Sequence, residues 1–247
     1  MPWRETRNPY RILVSELMLQ QTQVARVLEK YREFIALFPD AAALAKAPLR
    51  SVLKVWQGLG YNRRALALQQ IARALVAQHK GKVPSSLDDL VRLPGIGKAT
   101  ASAILAFAFN QPVVFIETNV RTVFIHFFFP ERDAVSDEEI LPLVTQTLDT
   151  DNPREWYYAL MDYGTFLKKT VANAGRKSRH YHKQSPFDGS NRQVRGRIVR
   201  YLIKERKSTE SVLTKQLGLT PGRVRSVLLD LEKEGMITRR GTMLKIA

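Results

Sequence analysis

A glycine hairpin followed by a single carboxylate is the part of this sequence most able to do chemistry. In residues 93–98 two glycines, Gly95 and Gly97, lead through Lys98 into an apolar helix predicted over residues 99–109. Such a helix start exposes backbone N–H groups that attract a phosphate. Glu117 follows Gly97 by twenty residues, so the helix should return the chain and place this acid near whatever the hairpin binds. An ordinary helical corner, with Glu117 as a helix cap, is the alternative that the hairpin leaves open. The β-branched run at 113–116 is predicted to be a buried loop, which enters a buried helix that starts near Thr118 and Asn119, both common N-cap types.

Two further segments have residue types suited to a site. Residues 9–24 have apolar residues at helical spacing with one acid, Glu16, among them. Residues 56–65 form a tight turn at Gly58 and Gly60 before another helix. The first segment predicts a carboxyl group on a largely apolar helix, where desolvation would raise its pKa. A surface carboxylate is the alternative for Glu16.

Together these segments resemble the helix–hairpin–helix superfamily of DNA base-excision glycosylases, and within it the MutY-type adenine DNA glycosylases. The likeness covers roughly residues 2–167 and rests on the Ser-Glu-Leu-Met-Leu-Gln-Gln-Thr-Gln string at 15–23, the glycine turn and the hairpin. It implies an all-α helix–hairpin–helix glycosylase fold. One departure stands out, because the family normally has Asp where this chain has Glu117.

The resemblance implies roles for both acids. Glu16 matches the glutamic acid that protonates the departing base, and Glu117 matches the carboxylate that stabilises the electron-deficient sugar. Bifunctional relatives form a Schiff base through a lysine where this chain has Ala99, which cannot do so. The resemblance therefore implies base removal without strand cleavage. Leu19, Gln20, Gln21 and Tyr61 match residues that the family places in the base stack beside the lesion, with core or surface packing as the alternative. Gly95, Gly97, Lys98 and Asn119 are further candidates for contact with DNA.

Cysteine is absent from the chain, which excludes disulfides and thiolate metal sites. Many relatives hold an iron–sulfur cluster through four cysteines, and the first of those positions matches Lys168. We therefore expect no iron–sulfur cluster and no metal site built from side chains. A monovalent cation at the hairpin is the one bound ion that the resemblance allows.

The positive charge is concentrated toward the C-terminus. The net charge of +16 divides into +2 over residues 1–167, +6 over 168–183 and +8 over 188–247. This distribution favours binding to the phosphate backbone of double-stranded DNA, with a basic solubilising tail as the alternative. No apolar stretch suits a membrane span and no signal peptide opens the chain. We expect an intracellular monomer, in the cytoplasm or nucleoid.

The hydrophobic pattern predicts three parts: a glycosylase domain over residues 1–168, a basic linker or extended segment over 169–191, and a small α+β domain over 192–247. In the last part three predicted helices and a β-hairpin resemble a winged helix–turn–helix domain. Its third helix would present Arg223 and Arg225 to a DNA groove, and its wing Arg239 and Arg240. A winged helix that binds protein instead is the alternative.

The whole pattern predicts a monofunctional DNA glycosylase that flips adenine, mispaired with guanine or 8-oxoguanine, out of the duplex and removes it. A glycosylase of the same fold acting on thymine, uracil or another damaged base is one alternative. A catalytically silent DNA-binding protein is another. The Gln-Gln-Thr-Gln string at 20–23 favours adenine, and the presence of both acids argues against a silent protein. The lesion preference is the most open point, because the winged-helix pattern replaces the nucleotide-pyrophosphohydrolase-like domain common in adenine glycosylases.

Overall fold

The computed structural model describes the whole sequence, residues 1–247, as two compact units built from separate stretches of chain. The hairpin unit comprises Trp3–Glu16 and Pro84–Gln184, and the winged unit comprises Met1–Pro2, Leu17–Val83 and Ser185–Ala247. Both acids lie in the hairpin unit. The division into 1–168, 169–191 and 192–247 stays a prediction.

Helices make up most of the structure, and the only sheet lies near the C-terminus. No helix is long and apolar enough to cross a membrane. The elements in chain order are α1 (Pro9–Leu19), α2 (Val24–Leu37), α3 (Ala41–Lys46), α4 (Leu49–Trp56), α5 (Arg63–His79), α6 (Leu87–Val91), α7 (Lys98–Phe109), α8 (Thr118–Phe128), α9 (Asp137–Thr147), α10 (Pro153–Thr170), a 3-10 helix (Ala174–Lys177), α11 (Asn191–Glu205), β1 (Lys207–Thr209), α12 (Glu210–Leu217), α13 (Pro221–Lys233), β2 (Ile237–Arg240) and β3 (Met243–Ile246).

Aromatic packing between α7, α10 and the α7–α8 loop forms much of the core of the hairpin unit. Phe107 stacks on Tyr158 with ring centroids 4.6 Å apart, and Phe115 stacks on Tyr157 at 4.1 Å. The Tyr157 hydroxyl donates to the Val113 carbonyl and accepts from the Phe115 amide, each at 3.0 Å. The segment before α8 is thus a loop anchored by α10, as predicted, and not a strand.

The helix expected to start near Thr118 and Asn119 begins at Thr118. Neither of these two common N-cap types caps it. Glu117 is the N-cap, in an extended conformation, and its side chain accepts from the amides of Asn119 and Val120. A carboxylate in this position satisfies two backbone donors that the helix leaves unpaired. The helix that follows the hairpin begins at Lys98, one residue before its predicted start.

The C-terminal domain has the predicted three helices, α11 to α13, and the predicted β2–β3 hairpin. The strand order is β1-β3-β2 and both pairings are antiparallel. The short strand β1 was not predicted, because three residues are too few for an alternating pattern to show. This sheet and the three helices bury an apolar core that includes Ile198, Leu202, Leu213, Leu228, Leu231 and Leu244.

Residues 169–191, predicted as a basic linker or extended segment, are divided between the two units at Gln184. Their first part contains the 3-10 helix, which packs on α8. A single parallel bridge joins Val135 to Ser178. Gly175 lies so close to Thr122 that an added Cβ would be 2.7 Å from its hydroxyl oxygen.

Candidate active site and DNA interface

Glu16 lies on α1 in surroundings that keep its carboxyl group protonated. Its neighbours Ser15 and Leu17 are both 1% exposed. Burial raises the pKa of Glu16 to about 8; the negative charge of Glu117 adds to the rise, and the charge of Arg4 opposes it. At neutral pH this group therefore holds a proton that it can donate.

Glu117 differs from Glu16 in having hydrogen-bond donors and a cation that oppose the effect of burial. One carboxylate oxygen accepts from the amide of Asn119 at 2.7 Å and from that of Val120 at 3.0 Å. Burial raises the pKa of Glu117, while these two N–H groups, the positive charge of Lys168 and the Asn119 side chain oppose the rise. The positive end of the α8 dipole acts in the same direction as these N–H groups.

The two carboxyl groups interact electrostatically, and their surroundings divide the roles between them. Glu16 has mainly burial acting on it, so it takes the proton. Glu117 has amide donors and a nearby cation, which favour its ionised form over that of Glu16. A protonated acid beside an ionised carboxylate can protonate a leaving group and stabilise a developing cation.

Asn119 and Lys168 complete the surroundings of Glu117. The Lys168 ammonium donates to Asn119 Oδ1 at 2.7 Å, and Asn119 Nδ2 donates to Glu117 Oε2 at 3.4 Å. The sequence reasoning noted Lys168 only as the match to a cluster ligand and missed this contact. The only local signal for a role of Lys168 is its position as a polar residue near the end of an amphipathic helix.

An iron–sulfur cluster of the kind held by many relatives does not fit the residues of the hairpin unit. The chain has no cysteine, and the side chain at the first ligand position is a cation that binds Asn119. Soft thiolate ligands are what such clusters require. The absence of a cluster, like the monovalent cation at the hairpin, stays a prediction about the protein in solution.

The hairpin between α6 and α7 presents backbone donors outward. Gly95 has φ +77°, in the left-handed region that favours glycine, and Gly97 is the N-cap of α7. Ile96 points into the core with 5% exposure, while Gly95, Gly97 and Lys98 are exposed. The arrangement is suited to a phosphate, which would meet free amides and a positive helix end.

In the winged unit one arginine joins the end of α1 to the glycine turn. Arg64, 9% exposed, donates to the carbonyls of Leu17 and Met18 at 2.9 Å and to that of Gln20. It also donates to the hydroxyl of Thr22 and to the carbonyls of the turn at 58–61. Sequence reasoning missed Arg64, although a cation within an apolar helical stretch is a signal for a buried contact.

Tyr61 lies at the end of this turn and is held on two sides. Its φ is +48°, unusual for a bulky residue. The Arg64 guanidinium lies 5.3 Å from its ring centroid, and Arg192, in the first turn of α11, donates to its hydroxyl at 3.0 Å. The structure thus brings Tyr61 and the predicted DNA-contacting segment Leu19, Gln20 and Gln21 into one unit, linked through Arg64.

Three of the four arginines predicted to contact DNA from the C-terminal domain bind groups of their own unit. Arg223 donates to a backbone carbonyl, that of Gly189. Arg225 pairs with Glu210 at 2.9 Å, and Arg239 pairs with Glu232 at 2.7 Å and with Glu210 at 3.4 Å. Arg240 takes part in none of these pairs and is exposed.

Comparison with known proteins matches this arrangement to a family. The model for "HhH-GPD superfamily base excision DNA repair protein" matches residues 14–143, more than half of the chain. The chain belongs to this superfamily. The match includes Glu16, Glu117 and the hairpin, so all three lie within the part that the superfamily shares.

Curated relatives of the chain are adenine DNA glycosylases. The protein of Buchnera aphidicola subsp. Baizongia pistaciae is 36% identical over 171 residues, which are 68% of this chain and 48% of that protein. The Mycobacterium tuberculosis H37Rv protein is 34% identical over 222 residues, or 81% and 72% of the two chains. The Mycolicibacterium smegmatis protein is 33% identical, covering 89% and 80%. The chain thus spans about half the length of the Buchnera relative and most of the mycobacterial ones.

Solved structures show the same fold. A thermostable thymine-DNA glycosylase superposes with a TM-score of 0.61 at 24% identity, over 70% of this chain and 82% of that one. A non-covalent endonuclease III–DNA complex superposes with a TM-score of 0.56 at 21% identity, over 74% and 79%. The predicted helix–hairpin–helix glycosylase fold is confirmed.

Proposed function

We propose that this protein is a monofunctional DNA glycosylase of base excision repair that removes adenine mispaired with guanine or 8-oxoguanine. Its partner is double-stranded DNA, on which it acts as a monomer inside the cell, in the cytoplasm or nucleoid. The observation that carries the proposal is a pair of carboxyl groups in the hairpin unit with different surroundings: Glu16 lies among buried residues of α1, and Glu117 is held by the amides of Asn119 and Val120. Membership of the superfamily and the names of the curated relatives support it.

The reaction assigns one step to each acid. With the deoxyadenosine flipped out of the stack, Glu16 donates its proton to a ring nitrogen of the base. The bond from the sugar C1′ to the base breaks, and its electron pair leaves with the base. Glu117 stabilises the cationic sugar until water adds at C1′ and loses a proton. The products are free adenine and an unbroken strand with an abasic sugar.

Contacts to DNA come from both units in this proposal. The hairpin amides at Gly95 and Gly97, with Lys98, bind the backbone of the duplex, and Asn119 lies beside Glu117. Leu19, Gln20, Gln21 and Tyr61 enter the base stack at the lesion. The exposed arginines of the C-terminal domain add electrostatic attraction to the phosphates.

The experiment that tests the function offers purified protein a panel of duplexes with A:G, A:8-oxoguanine, T:G and U:G mispairs. Alkali then cleaves the strand wherever a base has been removed. We expect cleavage at the adenine of A:G and A:8-oxoguanine. Cleavage at thymine or uracil instead would assign a different substrate, and tight binding with no cleavage would make the protein a silent DNA binder.

A test for strand cleavage by the protein itself distinguishes a monofunctional from a bifunctional glycosylase. Because Ala99 cannot form a Schiff base, borohydride should trap no covalent adduct with adenine-mispaired DNA, and nicking should need added alkali. A lyase-active glycosylase on its own lesion is the positive control. Efficient trapping would mean that another amine, such as that of Lys98, attacks the sugar.

A further inference from the structure

A lysine at the end of α10 is linked to the catalytic-site carboxylate through one side-chain amide. We propose that Lys168 is a positioning residue, which fixes the Asn119 amide in the orientation that donates to Glu117 and thereby holds the sugar-facing carboxylate in place. The inference rests on the proposed function only for the role of Glu117 in base removal. The link itself can be tested without DNA.

The chemistry of the amide explains why a cation is needed there. An asparagine side chain has an acceptor oxygen and a donor nitrogen at nearly the same place, and a half-turn exchanges them. Because Lys168 can only donate, its 2.7 Å bond requires the Asn119 oxygen on its side and leaves the NH₂ group toward Glu117. Without the ammonium, the amide could rotate, and its oxygen would then lie against the carboxylate oxygen of Glu117.

The packing of α10 on α8 makes this contact possible. Gly164 lies one turn before Lys168, and a Cβ added there would be 2.5 Å from the carbonyl oxygen of Asn119. Only a residue without a side chain allows the two backbones to come this close. α10 therefore passes directly beside the first turn of α8 and brings Lys168 within reach of Asn119.

The other cation beside this site is already paired. Arg121 binds both oxygens of Asp137, each at 2.7 Å. Lys168 and Arg121 line an open pocket of about 270 Å³ with Tyr181 and two histidines, His180 and His182. Of Lys168 and Arg121, Lys168 is the one that donates a hydrogen bond to the Asn119 side chain.

The titratable groups that interact with Glu117 from outside its own helix are Glu16 on α1 and Lys168 on α10. Burial lowers the pKa of Lys168, and the charge of Glu117 opposes that change. In return, the ammonium opposes the rise that burial causes in the pKa of Glu117. Removal of Lys168 should thus make Glu117 harder to ionise as well as less well held.

The first test compares Lys168→Met with Lys169→Met, which removes the same charge from an exposed neighbour. Single-turnover excision on an A:8-oxoguanine duplex is measured from pH 5 to 9. For Lys168→Met we expect a rate about tenfold lower near neutrality and an acidic limb moved up by about one pH unit. Lys168→Arg should restore much of the rate, and Lys169→Met should match the wild type.

The second test follows the carboxyl carbons of ¹³C-labelled glutamate by NMR, with Glu117 assigned through Glu117→Gln. In Lys168→Met, or in Lys168→Gln if the methionine variant does not fold, Glu117 should titrate at higher pH than in the wild type. An unchanged titration, or a pH profile equal to that of Lys169→Met, would overturn the proposal. If the wild type excises no base, the proposed function fails, and the titration still decides on the link.

Discussion

The hairpin unit and the C-terminal domain of the winged unit were both expected to meet DNA, but they hold their charges differently. At the hairpin and at Glu117 the groups involved are backbone amides and a carboxylate bound to them. In the C-terminal domain Arg225 and Arg239 are paired with acids of the same domain. A binding site made of backbone amides is complete once its local turn has formed. A charged side chain is available to DNA only if neighbouring groups in the folded protein do not already pair with it.

This difference suggests a division of labour. Substitutions of the two acids of the hairpin unit, Glu16 and Glu117, should change the rate of excision at saturating enzyme and leave affinity almost intact. Substitutions of Arg64 and of the C-terminal arginines in the winged unit should change stability, affinity or salt dependence and leave the saturated rate alone.

The largest effect is expected for Glu16→Gln, which removes the proton donor of the reaction. Single-turnover excision should become undetectable, while affinity for a mispaired duplex stays within a few-fold. Glu29→Gln, on an exposed position of α2, is the matched control. A variant that excises at the wild-type rate would show that the proton comes from elsewhere.

The raised pKa of Glu16 also determines whether excision and stability rise or fall with pH. The pKa is raised from 4.5 to about 8, so wild-type excision should fall as pH rises through 8. The folded state holds this proton more tightly than the unfolded chain does. Stability from the protonated carboxyl is therefore complete below about pH 4.5 and is lost as pH rises to about 8. Thermal unfolding of wild type and Glu16→Gln across this range should show the wild type losing more stability.

The next largest effect is expected for Glu117→Gln, which removes the charge that stabilises the sugar. Loss of one such preorganised group costs on the order of a hundredfold in rate. Glu117→Asp keeps the charge and restores the acid usual in the family, so it should retain substantial activity. Both variants are compared with wild type in single turnover. Equal rates for Glu117→Gln and wild type would reduce this residue to a helix cap.

In the winged unit, Arg64→Met should destabilise the protein without a direct effect on chemistry. It leaves several backbone carbonyls near the end of α1 and the glycine turn without a donor, at about 2–3 kcal/mol in total. Denaturant unfolding measures the loss, with the exposed Arg73→Met as control. A stable Arg64→Met protein with a normal unfolding midpoint would mean that water replaces the guanidinium at these carbonyls.

The smallest effect is expected when the DNA binding of Arg240→Gln is compared with that of Arg225→Gln. This comparison tests directly whether an unpaired arginine of the domain contacts DNA. Arg240 is exposed outside the ion pairs of Glu210 and Glu232, so its loss should weaken binding a few-fold and reduce the salt slope by about one. Arg225 must leave Glu210 before it can bind a phosphate, so its loss should matter less. Equal salt slopes for both variants and wild type would favour a protein partner for this domain.

Much of the fold could be predicted from local pattern. The helix after the hairpin, the buried helix after Glu117 and the three C-terminal helices follow from apolar spacing bounded by glycine, proline and capping residues. The loop at 113–116 was predicted correctly, although its β-branched residues are typical of a strand. Strand β1 was missed because it exists only through its pairing with β3.

The N-cap of α8 shows why a site is harder to predict than an element. Sequence preference pointed to Thr118 and Asn119, yet the carboxylate of Glu117 takes the two free amides. Which polar side chain caps a helix depends on the direction in which the chain enters it. That direction is set here by Tyr157, which binds the preceding loop from α10.

The sequence by itself determined the family, the hairpin and the two acids, because these depend on residue types at short, fixed spacing. Only the tertiary structure decided the surroundings of each acid, since burial, helix amides and Lys168 act on them from distant parts of the chain. It also decided that Arg64 joins two loops and that most of the predicted DNA-contacting arginines are paired. Local spacing specifies which groups are present, and packing specifies which of them are charged, held and exposed.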